Sequence, residues 1–247
     1  MISLKGKNIL ITGASSGIGA ATAVLCDNLG ANVILTGRNG TKLAETAKHL
    51  KNKSHIHIAD LTKAEDITEL VKQCAAVDGL VNCAGIVKPL PVKYIREKNI
   101  KEMFDSNFNS AVLLCSELSS AKKFNDHASV VFISSISSDH PYIGGSMYSA
   151  SKAALEAFSK GFAIEHAGKK IRANVVSPAL VKTKIFTETE LATSEEEMKA
   201  YEAQYPLGFG EPEDVANAIV FLLSSASKWI TGTTINMDGG LLLSSKK

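Results

Sequence analysis

Tyr148 and Lys152 stand four residues apart in Met147-Tyr148-Ser149-Ala150-Ser151-Lys152, and Ser135 lies thirteen residues upstream at the end of an apolar run. On a helix, positions i and i+4 share one face, about 6 Å apart along the axis. An ammonium held beside a phenol favours the phenolate and makes the phenol a readier proton donor near neutrality. A serine hydroxyl nearby can hold a carbonyl oxygen against the tyrosine. The chemistry suited to this set is proton delivery to a carbonyl during reduction, or proton removal from an alcohol during oxidation. Tyr and Lys at this spacing also arise by chance on exposed helices. The assignment therefore depends on what else the chain supplies.

The first thirty residues supply a strand, a glycine turn and a helix. Asn8-Ile9-Leu10-Ile11-Thr12 is apolar, Gly13-Ala14-Ser15-Ser16-Gly17-Ile18-Gly19 follows, and Ala20 to Leu29 is rich in helix formers. Glycines allow a backbone to approach a diphosphate, and a helix N-terminus offers free N–H groups with a partial positive charge. The spacing is Gly-x-x-x-Gly-x-Gly rather than Gly-x-Gly-x-x-Gly. A Gly-Lys-Ser/Thr ending is missing, which argues against a nucleoside triphosphatase. The alternative is a glycine-rich turn without a ligand.

The elements that must position these residues recur along the chain. Apolar runs at Ile9–Ile11, Val33–Leu35, His55–Ile58, Leu80–Val81, Val130–Ile133, Ala173–Val176 and Thr234–Met237 predict seven strands. Helical stretches near 18–29, 40–51, 63–76, 97–121, 148–167 and 213–225 separate them. That alternation predicts right-handed crossovers and a parallel sheet with helices on both faces. The fold class expected is α/β, a single Rossmann-like doubly wound domain over residues 1–247. No repeat or linker divides the chain. The polar stretch 184–211, with Glu188, Glu190, Glu195, Glu196 and Glu197, breaks the rhythm. A long insertion after the sixth strand reads as a substrate lid or as a solvated helical excursion.

Composition narrows the function classes. Hydrophobic residues make up 45% of the chain, enough to bury both faces of a parallel sheet. A net charge of +2 without a Lys/Arg stripe argues against nucleic acid as a partner. No apolar stretch is long enough to span a membrane. Cys26, Cys74, Cys83 and Cys115 lack metal-ligand spacing. With no signal peptide they are expected to stay reduced in a cytoplasmic setting. His55 and His57 share a strand face but have no evident partner ligands, so no metal is expected.

Taken together, these motifs resemble the short-chain dehydrogenase/reductase family over nearly the whole chain. Thr12-Gly13-x-x-x-Gly17-x-Gly19 resembles its cofactor turn, and Asn82-Cys83-Ala84-Gly85 its Asn-Asn-Ala-Gly motif. Pro178 to Thr183 is similar to the segment that clasps the nicotinamide, and Asp238-Gly239-Gly240 to a C-terminal motif. Asn107, Ser135, Tyr148 and Lys152 match the catalytic tetrad in order and spacing. The resemblance implies that Ser135 stabilises the substrate oxygen while Tyr148 exchanges its proton. It implies that Lys152 binds the nicotinamide ribose and that Asn107 holds a water linking Lys152 to solvent. Cofactor contacts are implied at Gly13, Ser15, Ser16, Gly17, Ile18, Gly19, Arg38, Asp60, Leu61, Asn82, Ala84, Gly85, Tyr148, Lys152, Pro178, Val181 and Thr183. Asp60 stands where the family contacts adenine, and is also a candidate helix N-cap, with Thr62 as competitor. Ser134 competes with Ser135 for the catalytic role, and Tyr142 reads equally as pocket wall or plain packing. Two departures stand out: Cys83 in place of the second Asn, and Ala179 in place of a glycine after Pro178.

The cofactor expected is NADP, with NAD the alternative. Gly37 occupies the place where NAD-preferring relatives carry Asp, and Arg38 follows it. Arginine can pair with a 2′-phosphate that an acid would repel. The function expected is an NADP-dependent oxidoreductase acting on a small carbonyl or secondary alcohol. A 3-oxoacyl-carrier-protein reductase is one alternative, and an NAD-using sugar, polyol or steroid dehydrogenase another. A carrier-protein enzyme should show basic residues at its mouth. The insertion instead sets five glutamates against Lys182, Lys184 and Lys199. A non-catalytic dinucleotide-binding protein is disfavoured by the intact tetrad, and an epimerase by the short C-terminal region. The apolar tail Leu241-Leu242-Leu243 predicts a buried subunit edge, and the resemblance implies a homotetramer, with a dimer as alternative.

Overall fold

The computed structural model describes residues 2–52, 54–183 and 194–244. Seven parallel strands form its sheet: β1 (Asn8–Thr12), β2 (Asn32–Gly37), β3 (His55–Ile58), β4 (Val77–Asn82), β5 (Phe124–Ile133), β6 (Arg172–Pro178) and β7 (Thr234–Met237). Their order across the sheet is β3-β2-β1-β4-β5-β6-β7. The inner strands need continuous apolar runs because both their faces are covered. Leu10 packs into one core while Ile9 and Ile11 pack into the other, as the period-two alternation of a strand requires.

The helices α1 (Gly17–Asn28), α2 (Gly40–Ala47), α3 (Ala64–Gln73), α4 (Glu97–Phe104), α5 (Ser110–Ser120), α6 (Ser146–Glu165), α7 (Glu195–Glu202) and α8 (Pro212–Leu223) follow in chain order. Residues of α3, α5 and α6 close one core, and those of α1 and α8 close the other. Two cations serve the carbonyl end of α8. Arg172 donates to the carbonyls of Leu222 and Ser224, and Lys7 donates to that of Leu223. These are the orphan acceptors that a helix leaves at its C-terminus.

The strand order reverses between β1 and β4, and open α/β sheets bind ligands at that switch point. Thr12 ties the two strand ends together, its hydroxyl oxygen accepting from the N–H groups of Cys83 and Ala84 at 3.0 Å each. Cys83 thus keeps its backbone role despite the altered side chain.

Three expectations shift. The helix expected over 97–121 is broken by a π turn at Asp105–Asn109 between α4 and α5. The buried Asn107 amide bonds outside its own helix there, which an uninterrupted α-helix would not require. β5 begins six residues before the expected Val130, because Asn125-Asp126-His127, with His127 at φ 64°, disguises its start as a turn. Of the tail, Leu241 packs against Met198, Tyr205 and Phe209 of the same chain, while Leu243 is exposed. The cover of Leu241 therefore needs no second subunit.

Candidate active site

One cavity of about 810 Å³ runs along the C-terminal ends of the strands, from Arg38 to Tyr148 and on to Tyr201. The glycine turn forms its floor. Gly13 takes φ 63°, and a Cβ there would lie 3.0 Å from Ala84; Gly17 takes φ 53°, where a Cβ would lie 3.1 Å from Thr183. Gly19 is a packing residue outside the cavity wall. Its missing side chain admits the Gly13 carbonyl, which a Cβ would meet at 2.4 Å. The first turn of α1 carries no acid, and Ser16 makes no side-chain cap. Although the Gly19 N–H bonds to the Cys83 sulfur, the partial positive charge of the helix start faces the cavity unopposed by a carboxylate. With the glycine cradle, these features fit a dinucleotide diphosphate.

At the β2 end, Arg38 is exposed beside the cavity, and no carboxylate stands at Gly37. Asp60 lines the same end. Its carboxylate accepts from the Thr62 N–H and hydroxyl, and these bonds together with Arg38 hold it below the usual range despite partial desolvation. Lys63 occupies the N-cap position of α3, so Asp60 shapes the entry to that helix without capping it.

Ser15, Ser16, Ile18, Leu61, Ala84, Gly85, Pro178, Val181 and Thr183 also line the cavity. Asn82 lies beneath it, its amide donating to Cys115 Sγ at 3.7 Å. Ala179 avoids the left-handed region, so a methyl group is accommodated where a glycine was expected.

Ser135, Tyr148 and Lys152 meet in the middle of the cavity. Ser135 follows β5, its oxygen accepting from the Ser137 N–H at 3.2 Å while its hydroxyl engages Tyr148. Ser134 is occupied elsewhere, donating to Glu156 at 2.6 Å. Asn107 sits one layer below. It accepts from the Ile86 N–H at 2.7 Å and donates to the Ile86 carbonyl and to Ser151 Oγ. A Cβ on Gly85 would lie 3.1 Å from Asn107 Oδ1 and 3.5 Å from Lys152 Nζ, so glycine lets these groups come together.

The electrostatics differ from what helical spacing alone implied. Lys152 Nζ donates to the Ile133 carbonyl at 2.8 Å and lies 5.7 Å from the Tyr148 ring centre. Burial pushes its pKa down to about 8. Burial also raises Tyr148 to about 12; the Ser135 hydrogen bond opposes this, and neighbouring Tyr142 and Cys83 add to it. The site therefore favours a neutral phenol over a phenolate.

The substrate end holds residues that the sequence reading passed over. Tyr201 and Tyr205 line the cavity with Tyr142 and Leu180. Their signal was a Tyr-x-x-x-Tyr pair inside a stretch read only for its acidity. Of the expected lid, residues 184–193 lie outside the described residues, Glu188 and Glu190 among them. Among the described residues no group of His, Cys, Asp or Glu is arranged to hold a metal, and His57 pairs with Gln73. All four cysteines are free, and no described helix is long and apolar enough to cross a membrane.

Comparison with known proteins agrees with this fold. A family model described as enoyl-(acyl carrier protein) reductase matches residues 13–242. The chain is 35% identical over 244 residues to the 3-oxoacyl-(acyl-carrier-protein) reductase FabG of Rickettsia bellii, covering 98% of this chain and 100% of that protein. It is 33% identical over 248 residues to the enzyme of the same name from Thermotoga maritima, with 97% and 99% covered. Among solved structures, a dehydrogenase/reductase from Sinorhizobium meliloti superposes with a TM-score of 0.89 at 29% identity, covering 97% of this chain and 96% of that one. A short-chain type dehydrogenase/reductase from Mycobacterium ulcerans gives 0.88 at 28% identity, with 98% and 92% covered.

Proposed function

The chain belongs to the short-chain dehydrogenase/reductase family of oxidoreductases, and from that premise we propose that it reduces a small carbonyl compound with NADP as cofactor and Tyr148 as proton donor. The observation that carries this reading is the meeting of Ser135, Tyr148 and Lys152 in the cavity that begins at Arg38.

Bound at the glycine turn, the cofactor would be held by the α1 N-terminus at its diphosphate and by Arg38 at a 2′-phosphate. Lys152 would hold the nicotinamide ribose, and Val181 and Thr183 the carboxamide. When bound, a reduced nicotinamide supplies hydride. Ser135 donates a hydrogen bond to the carbonyl oxygen as negative charge grows there, and Tyr148 delivers its proton to the same oxygen. A phenol held neutral by burial is the protonation state that reduction needs. Lys152, near its own pKa at mildly alkaline pH, can pass a proton back toward Tyr148, and Asn107 fixes the local backbone by its bonds to Ile86.

The 3-oxoacyl-carrier-protein relatives favour an acyl thioester as one carbonyl class. Against a carrier protein stand Glu195, Glu196 and Glu197, all exposed on α7, the helix that brings Tyr201 to the cavity. A homotetramer is part of the same proposal. It is supported by Ile100, Leu113 and Ile164, exposed on α4, α5 and α6. The test is a panel of ketones, acyl thioesters, sugars and polyols with either cofactor, followed at the nicotinamide absorbance. Consumption of NADPH in step with carbonyl loss is the expected result; turnover of substrate without net cofactor consumption would point to an epimerase.

A further inference from the structure

The cavity wall beyond Tyr148 carries three more phenols. Burial raises the pKa of Tyr142 and nearby Tyr201 adds to it, and Tyr142 acts in the same direction on Tyr148. Tyr205 lies behind Tyr201, their hydroxyls 3.2 Å apart.

Burial fixes the direction of that bond. Tyr205 is only 4% exposed, and its oxygen accepts from the Leu180 N–H. Its own proton needs an acceptor, because an unpaired buried donor is costly, and Tyr201 provides one. Tyr201 is 39% exposed and lines the cavity. With its oxygen taken as acceptor, Tyr201 has its O–H left to donate into that space.

The ring that carries this donor is held by packing. Tyr201 meets Tyr205 edge-on at 5.5 Å between ring centres, and Phe209 lies 4.9 Å from Tyr205. Met198 joins them, and the cluster rests on Ala179, Leu180 and Leu241. Such a donor is preorganised, so little ordering cost is paid when it binds.

Charge narrows what it binds. The charged residues among the described lining are Arg38 and Asp60 at the far end, and Lys152, which gives one of its three donors to the Ile133 carbonyl and is assigned above to the cofactor ribose. Among the described residues lining the cavity beyond Tyr148, none carries a charge to meet a carboxylate.

We propose that Tyr201 is a specificity-determining residue that donates a hydrogen bond to a second, uncharged acceptor oxygen on the substrate, beyond the carbonyl being reduced. The class is a neutral oxo-ester, oxo-thioester or diketone, in preference to a simple ketone or a free oxo acid. This inference rests on the carbonyl-reductase reading above.

The test compares ethyl acetoacetate, free acetoacetate and a methyl ketone of matched length without the second oxygen, using wild type, Tyr201→Phe and Tyr205→Phe. Wild type should favour the ester over both others. In Tyr201→Phe the ratio of kcat/KM for ester over ketone should fall about tenfold, with the loss in KM, since a site built to bond an oxygen discriminates through that bond. Tyr205→Phe should lower the same ratio by less, because the donor persists without its buried partner. An unchanged ratio in Tyr201→Phe, equal losses on both substrates, or a wild type that prefers the ketone or the free acid would overturn the proposal. Wild-type turnover in Tyr148→Phe would instead strike the carbonyl-reductase reading and leave the Tyr201 ratio to be judged separately.

Discussion

Lys152 shows how far residue spacing carries and where it stops. Position i+4 from Tyr148 places it on the right helix face, but its ammonium turns to the Ile133 carbonyl, and burial lowers its pKa to about 8. Two consequences follow at this scale. Between about 8 and 10.5 the unfolded chain binds more protons at this lysine than the native protein does, so its contribution makes wild-type stability rise with pH across that window. Below the window the buried charge costs about 3 kcal/mol, partly offset by the bond to Ile133. Lys152→Met should thus be more stable than wild type at neutral pH by on the order of 1 kcal/mol in the absence of cofactor. That margin should vanish by pH 10.5, as denaturant titrations at several pH values will report. A constant margin would contradict the buried cation. In the free enzyme, kcat/KM for reduction should likewise decline above pH about 8 as Lys152 loses its proton. At the other end of the cavity, a Cβ on Gly37 would meet nothing closer than 3.7 Å, so Gly37→Asp fits without strain. Combined with Arg38→Leu it should shift the ratio of catalytic efficiencies toward NAD by about tenfold or more, measured with both cofactors. A wild type that already prefers NAD would remove the role given to Arg38.

At the scale of elements, what was legible in the sequence was whatever repeats or punctuates. Seven apolar runs identified the seven strands, and Gly13, Gly17 and Gly19 marked the turn. The five inner strands are buried on both faces and cannot hide their pattern, while the more exposed edge strands β3 and β7 are short runs of four residues. The π turn around Asn107 was not legible, since its cause is a bond to Ile86 on a segment twenty-one residues away. The start of β5 was hidden by a polar run that pairing with β4 overrides. Nor could spacing reveal that Asp238-Gly239-Gly240 docks the segment after α7. Leu207 donates to the Gly239 carbonyl at 3.0 Å, and Asp238 accepts from the N–H groups of Gly240 and Leu242. Gly239 adopts φ 58°, and a Cβ there would lie 2.8 Å from the Gly208 carbonyl oxygen. Gly239→Ala should therefore cost about 1–3 kcal/mol and displace the Tyr201–Tyr205 wall. A Tm lower by several degrees with a raised KM is the expected reading; an unchanged KM would mean that the docking does not position that wall.

For the whole molecule, the apolar residues left uncovered on one chain point to assembly. Ile100, Leu113 and Ile164 lie on α4, α5 and α6, the last of which also carries Tyr148 and Lys152, so a neighbour packed there would steady the catalytic helix. Light scattering at micromolar concentration should give about four times the 26.2 kDa chain mass, and a fully active monomer would contradict this support of the site. The central claim is that a neutral phenol at Tyr148, enclosed with Ser135 and Lys152 at the end of a dinucleotide cavity, delivers the proton. Tyr148→Phe tests it most directly, because it keeps the ring and removes only the donor. Turnover with NADPH should fall by at least ~100-fold, the scale of general acid catalysis, while NADPH binding measured by fluorescence stays within a few-fold of wild type. Turnover near the wild-type rate in a variant that still binds NADPH would contradict the account.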